Sequence, residues 1–335
     1  MARAAVSSSA SRSAAAIVTT LRNAGAVLDS FVAYHRAIGF EHLFLFFDDP
    51  DDPDLSRAGA MTGVTAIPHD AALRETWRRL RMYSQCGAFV DSEVMSRQLL
   101  NVECAMVLAR ERGYEWLLSI DADELFFSPA ESASRHFGSL TATGFDTVQY
   151  ANCEAVPTRD EIHDFFREVD IFKPPLQFVR SNLGSQLRQV VQSVPQLNPF
   201  FHFYANGKSA VRLRDEQLEP FGVHQFRHAK RPTRSTSSVG QFVLHYACCG
   251  FEAFWTKYVT LGRFPDRWWN RYDIATAIGT FHLEARDVVC SGDRERALAF
   301  YRERFVISDA DLIERLTRQR LLAHMSQPGQ IIAAV

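Results

Sequence analysis

His42–Phe47 reads HLFLFF, an apolar run without polar alternation. A strand with one face in water alternates apolar and polar residues, whereas an unbroken run belongs to a strand covered on both faces. Trp116–Ile120, WLLSI, is a second such run, and Ala15–Thr20 and Gly63–Pro68 are further strand candidates. Helical patterns lie between them. Val27, Phe31, Tyr34 and Ile38 fall at helical spacing before Gly39, and Met95, Leu99, Val102, Met106 and Ala109 do so within a helix predicted from about Glu93 to Arg112, stopped by Gly113. Strands alternating with helices predict an α/β fold with a mostly parallel sheet flanked by helices.

Ligands in such sheets sit beyond the carboxyl ends of the strands. Both apolar runs end there in acid: HLFLFF in DDPDDPD, residues 48–54, and WLLSI in Asp121, Asp123 and Glu124. Prolines 50 and 53 exclude helix and sheet interior from the first cluster. In the second, an extended backbone would project Asp121 and Asp123 to the same side. Like charges that close destabilise one another unless a positive group joins them. A hard divalent cation with oxygen ligands, Mg²⁺ or Mn²⁺, meets that need and keeps positions open for phosphates. Ser128, Pro129 and Glu131 carry a capping-box pattern, which predicts a helix directly after the acids. His245, at the end of the strand-like QFVLHYA, is read either as a packed core histidine or as a nitrogen ligand completing the cation site.

The bulk composition sets bounds. The chain has 335 residues, 47% hydrophobic and 23% charged, enough for a large core. A net charge of −2 excludes a general nucleic-acid binder, so any phosphate site is local. The 26 Phe imply thick aromatic packing or an apolar groove. Six cysteines without a C-x-x-C pair read mostly as buried thiols. No window of about 18 apolar residues predicts a membrane span. Dinucleotide, P-loop, nucleophile-elbow and H-E-x-x-H motifs are missing, which argues against dehydrogenase, P-loop ATPase, α/β-hydrolase and zincin chemistry.

Residues 15–290 are expected to form the main domain, with 291–335 as a C-terminal helical extension. Residues 1–14, rich in Ser and Ala and lacking acid, read as a disordered tail, as a targeting segment, or as the start of a piece cut from an upstream anchor. A Golgi-lumen or organelle location would go with the last two. RPTRSTSSVG, residues 231–240, reads as a mobile loop.

TLRNAGAVLDSFVAYHRAIGFEHLFLFFDDP, EWLLSIDADELFF, KSAVRL, GVHQF and VLHYACCGFEAFWTKY succeed one another in this order. Together they resemble glycosyltransferase family 92 and related GT-A glycosyltransferases, over about Ile17 to Tyr258. The resemblance implies a GT-A fold, a nucleotide-sugar donor, read as UDP-linked, a divalent metal (usually Mn²⁺), and inverting transfer of a hexose to a glycan or glycoconjugate hydroxyl. It implies Asp121 and Asp123 as metal and phosphate residues with Glu124 beside them, His245 as the late histidine, and Lys208 and His224 as matches to the KS and H positions. Arg22, Asn23, Asp48 and Asp49 would line the nucleotide pocket. Lys208 suits a point charge on the diphosphate. An inverting reaction needs a carboxylate to deprotonate the acceptor; Glu154, just past VQYANCE, is the first choice, with Asp266 and Glu252 next. Trp255, Trp268, Trp269 and Tyr272 are read as acceptor-sugar platforms or as core packing. Two other readings fit the same acids: a noncatalytic carbohydrate- or partner-binding module, and a metal-dependent nucleotidyl- or phosphotransferase.

Overall fold

A computed structural model describes residues 13–183, 189, 192–269 and 271–335 of the chain. The expected tail thus lies almost wholly outside the described residues. The strands in chain order are β1 (Ala15–Leu21), β2 (His42–Phe47), β3 (Val64–Pro68), β4 (Trp116–Ser119), β5 (Glu124–Phe127), β6 (Thr147–Tyr150), β7 (Asn152–Ala155), β8 (Ile171–Lys173), β9 (Lys208–Arg212), β10 (Leu218–Pro220), β11 (Phe226–His228), β12 (Ser235–Ser237), β13 (Phe242–His245), β14 (Arg267–Trp268), β15 (Tyr272–Asp273) and β16 (Ala323–His324).

The main sheet has seven strands in the order β12-β6-β9-β4-β1-β2-β3. Four of its six pairings are parallel, and only β9 runs against its neighbours. The fold is therefore the expected α/β architecture with a mostly parallel sheet flanked by helices. The unbroken runs are explained by two cores. Leu43, Leu45 and Phe47 of β2 enter one, and Phe44 and Phe46 enter the other, so one strand serves both faces. The Val27–Ala37 helix packs on the first face. The Val94–Glu111 helix packs on the second through Leu99, Val102, Met106 and Ala109.

A second sheet, β16-β8-β7-β13-β5, takes in β5 and the strand-like runs around Asn152 and in QFVLHYA, together with the short β8 and β16. The chain passes between the two sheets five times, from β4 to β5, β5 to β6, β6 to β7, β8 to β9 and β12 to β13. Ile120–Asp123 carries it from β4 to β5, and Ala151 alone separates β6 from β7. Trp116–Phe127 is therefore two strands in two sheets. The 291–335 segment contains helices Arg294–Phe305, Ala310–Arg318 and Gln327–Ala333, and it also returns β16 to the second sheet and Ile332 to the first core.

Two further expectations are corrected. The helix after the acids begins at Ala133 rather than at Ser128, because the Ser132 hydroxyl accepts from Arg135 N–H and caps it, while Ser128 closes a turn onto the Glu131 carbonyl. Residues 235–237 form an edge strand on β6, held by the buried Asp146, whose carboxylate takes Arg231 at 2.6 Å and Arg234 at 2.9 Å. The many Phe pack into cores. One aromatic layer joins Phe203, Phe251, Phe254, Phe281 and Phe305 beside the second sheet. All six cysteines are free thiols, five of them buried. No helix among the described residues is long and apolar enough to cross a membrane.

Candidate active site

The 120–123 turn stands at the carboxyl end of β4, where the two sheets part. It is a hydrogen-bonded turn: Glu124 N–H donates to the Asp121 carbonyl at 3.1 Å, and the Glu124 carboxylate accepts from Asp121 N–H at 2.7 Å. Asp121 and Asp123 thus share one tight turn, and the extended backbone expected from their spacing is not present. β13 lies antiparallel to β5 in a register that sets His245 opposite Glu124. β9 brings Lys208 to the end of β4. Gly207 just before it has φ +69° and passes so close to the Tyr150 carbonyl that a Cβ would lie 1.9 Å from the oxygen, so a side chain there would push Lys208 out of place.

Each aspartate is matched by a lysine. Lys208 Nζ donates to Asp121 Oδ2 at 2.6 Å, and Gln98 Nε2 donates to Asp121 Oδ1 at 2.9 Å. Lys257, from the Phe251–Leu261 helix, donates to Asp123 Oδ2 at 2.9 Å and lies over the Phe203 ring. Burial alone would raise the Asp123 carboxyl, but Lys257, with His245 and Lys208 behind it, holds it below the usual carboxylate range. Burial would lower the Lys208 and Lys257 ammonium groups, and the facing carboxylates raise both instead. Glu124 is fully buried, and burial, reinforced by Asp121 and Asp123, outweighs Lys208 and pushes it well above its ordinary value. Two ammonium groups, Lys208 and Lys257, thus face the acids after WLLSI.

His245 is buried under Tyr204, with ring centroids 4.8 Å apart. Burial lowers its pKa against the pull of Asp123, so the imidazole is neutral. Nδ1 has no hydrogen-bond partner, and Nε2 faces Asp123 Oδ1 across 3.8 Å, longer than a hydrogen bond. His224 Nδ1 lies 2.8 Å from the Gly207 carbonyl, and the ring packs on Tyr204. Burial and Lys208 push its pKa down to about 3, so it too is neutral and Nδ1–H is the donor. A small open pocket lies beside these groups, a cleft lined by Thr20, Gln98, Ser119, Asp121, His224 and Phe226.

The remaining expected residues are placed differently. Arg22 and Asp49 pair at 2.9 Å at the partly exposed rim beyond β1 and β2. Asp48 is gripped by Arg97 through two bonds of 2.5 and 2.7 Å, with His69 beyond. Asn23 has φ 52°, and its N–H donates to Asp52, as Gly25 N–H does to Asp54, both at 2.6 Å. Much of DDPDDPD thus braces the loop after β1. Glu154 does not fit the role of base. It is buried, it takes Lys173 Nζ at 2.9 Å and the N–H groups of His202 and Phe203 at 3.0–3.1 Å, and these donors hold it deprotonated against its burial. A carboxylate so saturated has no free oxygen for an acceptor hydroxyl. Asp266 and Glu252 are exposed, pair with Arg286 and Arg294, and do not line the cleft. Trp269 is anchored on the Val94–Glu111 helix by Ser96 and Glu93; Trp255 packs on Phe251, and Tyr272 is exposed.

No three His, Cys, Asp or Glu side chains converge into a ready-made metal cluster among the described residues. A divalent ion fits the site in a narrower sense. The open Asp123 oxygen and an unprotonated, unpartnered imidazole face each other, with a second aspartate on the same turn. That is a partial donor set of the kind that substrate phosphates complete.

No protein-family model matches the chain. Two curated proteins of Arabidopsis thaliana, both named glycosyltransferase-like, are 28% identical over 318 residues and 27% identical over 323 residues, each over 90% of this chain. The chain spans 68% of the first and 60% of the second. Among solved structures, core-mannan synthase A from Aspergillus fumigatus in its Mn/GDP form overlaps 64% of this chain and 63% of that chain, at 14% identity and a TM-score of 0.29. UDP-glucose pyrophosphorylase complexed with UDP-glucose overlaps 87% of this chain and 100% of that chain, at 9% identity and a TM-score of 0.23. Such shallow overlaps carry no residue correspondence.

Proposed function

We propose that the chain is a glycosyltransferase of the family 92 and GT-A kind. It moves a hexosyl group from a nucleotide-sugar, read as UDP-linked, to a glycan or glycoconjugate hydroxyl with inversion. The observation that carries this reading is the Asp121–Asp123 turn, set where two sheets part, beside a cleft and under two lysines. Two relatives named glycosyltransferase-like, aligned over nine-tenths of the chain, support it.

Sugar transfer leaves a nucleoside diphosphate whose negative charge grows as the glycosidic bond breaks, and positive groups aimed at that charge lower the barrier. A divalent ion held by Asp121, Asp123 and His245 would act there as a Lewis acid. The chain's own residues prepare the place. Gln98 and Lys208 fix the Asp121 carboxylate from two sides. Glu124 closes the turn by accepting from Asp121 N–H. Burial keeps His245 from taking up a proton readily, against the pull of Asp123. Lys257 and Lys208 keep ammonium charge within reach of the turn.

The test is nucleoside diphosphate release from a panel of UDP- and GDP-sugars with Mn²⁺. Release that Asp121→Asn and Asp123→Asn abolish in folded protein supports the reading. Release of inorganic phosphate or pyrophosphate instead would favour nucleotidyl or phosphoryl transfer, and binding without turnover across acceptor panels would favour a noncatalytic module.

A further inference from the structure

The two lysines of the site differ in one respect. Lys208 is sealed in, with its side chain 2% exposed, whereas Lys257 is 28% exposed and reaches Asp123 from a helix outside both sheets. Lys257 makes three contacts: Asp123 Oδ2 at 2.9 Å, the Ala247 carbonyl at 3.2 Å, and the face of Phe203 at 4.8 Å. Its four-carbon stem can turn the ammonium to a new partner without moving the backbone. The other Asp123 oxygen looks at His245 across a gap with no hydrogen bond. Asp123 is thus held on one side by an ammonium group and left open on the other.

The charges decide what can enter. Asp121 and Asp123 are each already paired with a lysine, Lys208 and Lys257. A bare divalent ion would meet carboxylates already paired and face two ammonium groups in a setting where water screens them poorly. A bare diphosphate would find both ammonium groups already held by carboxylates. A divalent ion and a diphosphate entering together nearly cancel.

We propose that Lys257 is the stand-in cation of the donor-free site: it holds Asp123 until a divalent ion and a nucleoside diphosphate arrive together, and its ammonium then turns from Asp123 to a phosphate oxygen. This rests on the reading of the Asp121–Asp123 turn as the donor site. No bond is made or broken in the exchange; one ion pair replaces another. Because linkage is reciprocal, the nucleotide tightens the metal by the same factor as the metal tightens the nucleotide.

Calorimetric titration of Mn²⁺, alone and with saturating UDP or GDP, tests this on the full chain. Wild-type protein should bind Mn²⁺ weakly alone and at least about tenfold more tightly with one of the nucleotides, within the range of allosteric couplings. Lys257→Met should bind Mn²⁺ alone at least about tenfold more tightly than wild type, because the competing charge is gone, and should lose most of the nucleotide's added effect. Lys257→Gln keeps a hydrogen bond to Asp123 without the charge and should behave like Met; Lys257→Arg should behave like wild type. Thermal unfolding of each variant confirms that it is folded. Unchanged or weaker Mn²⁺ binding by folded Met and Gln variants overturns the stand-in role while leaving the donor site in place. Tight Mn²⁺ binding by wild type without nucleotide overturns it equally. If neither nucleotide promotes Mn²⁺ binding in wild type, the donor-site reading falls and the proposal with it.

Discussion

Replacing Lys208 by Met should destabilise the protein by about 3 kcal/mol, the low end of what breaking a buried ion pair costs. The ammonium is nearly inaccessible, bonds Asp121 at 2.6 Å, stands 3.7 Å from Glu124 and lies over the Tyr204 ring. A unit pair at about 4 Å and an effective dielectric near 20 is worth about 4 kcal/mol before losses. The Asp121 side chain is 30% exposed, and water reclaims part of that energy. Met fills most of the stem's volume, so the cavity contribution is small. Lys208→Met/Asp121→Asn removes both charges and should recover about 1–2 kcal/mol relative to Lys208→Met, the coupling expected of groups in contact. Urea unfolding followed by circular dichroism, with the slope compared across variants, measures this. A Lys208→Met loss under about 0.5 kcal/mol, the ordinary surface range, or strict additivity in the double variant would show that the pair contributes little to the fold.

Asp121→Asn and Asp123→Asn should abolish sugar transfer in protein that still melts cooperatively; unaltered turnover in either would remove that residue from the site. His35 is buried, with Nδ1 at the Phe31 carbonyl and Nε2 accepting from Phe126 N–H, which only the neutral ring satisfies, and burial lowers its pKa to about 3. The unfolded chain takes up that proton first, so stability should fall as pH drops below about 6.5, by up to about 1.4 kcal/mol per unit until the folded value is reached, and His35→Gln should flatten a pH series of urea midpoints. Asp48→Ala should raise KM for the sugar nucleotide more than it lowers kcat, since Arg97 loses the carboxylate that fixes it beyond β2; a fall in kcat alone would count against a nucleotide-binding role for Asp48. Asp146→Ala should release residues 231–237 to limited proteolysis, because Arg231 and Arg234 lose their shared anchor; an unchanged digestion pattern would show that β-pairing alone holds the strand.

What could be read from the chain was whatever local pattern decides. HLFLFF announced a strand covered on both faces because burial of both faces leaves no place for a polar residue, and the helices between strands declared themselves by spacing and by Gly39 and Gly113, each at positive φ. The acids after WLLSI marked the place where Asp121, Asp123, Glu124, Lys208, His224 and His245 now meet. Their geometry was not legible. WLLSIDADELFF looks like one strand with an acidic end, but β4 pairs with β1 and β9, and β5 pairs with β13, partners that lie far away in sequence. Lys257 gave no local sign, since FWTKY on a helix reads the same whether its lysine is solvated or aimed at a carboxylate. Glu154 misled for the same reason. It lies inside β7 rather than after a strand, the Lys173 that neutralises it comes from β8, and the N–H groups that saturate it come from residues 202 and 203. The proline-rich acidic run was a site in appearance, yet Asp52 and Asp54 spend their charge on backbone N–H groups of the preceding loop.

Where a nucleoside diphosphate binds decides most directly whether the Asp121–Asp123 turn is a donor site. A crystal structure of the full chain with Mn²⁺ and UDP, or GDP if that binds more tightly, locates it. The expected result is the diphosphate against the Asp121–Asp123 turn, with the metal between it and Asp123 and the nucleoside in the cleft beside Thr20 and Gln98. A diphosphate seated elsewhere on the molecule, with Asp123 still bound to Lys257, would contradict the donor-site assignment.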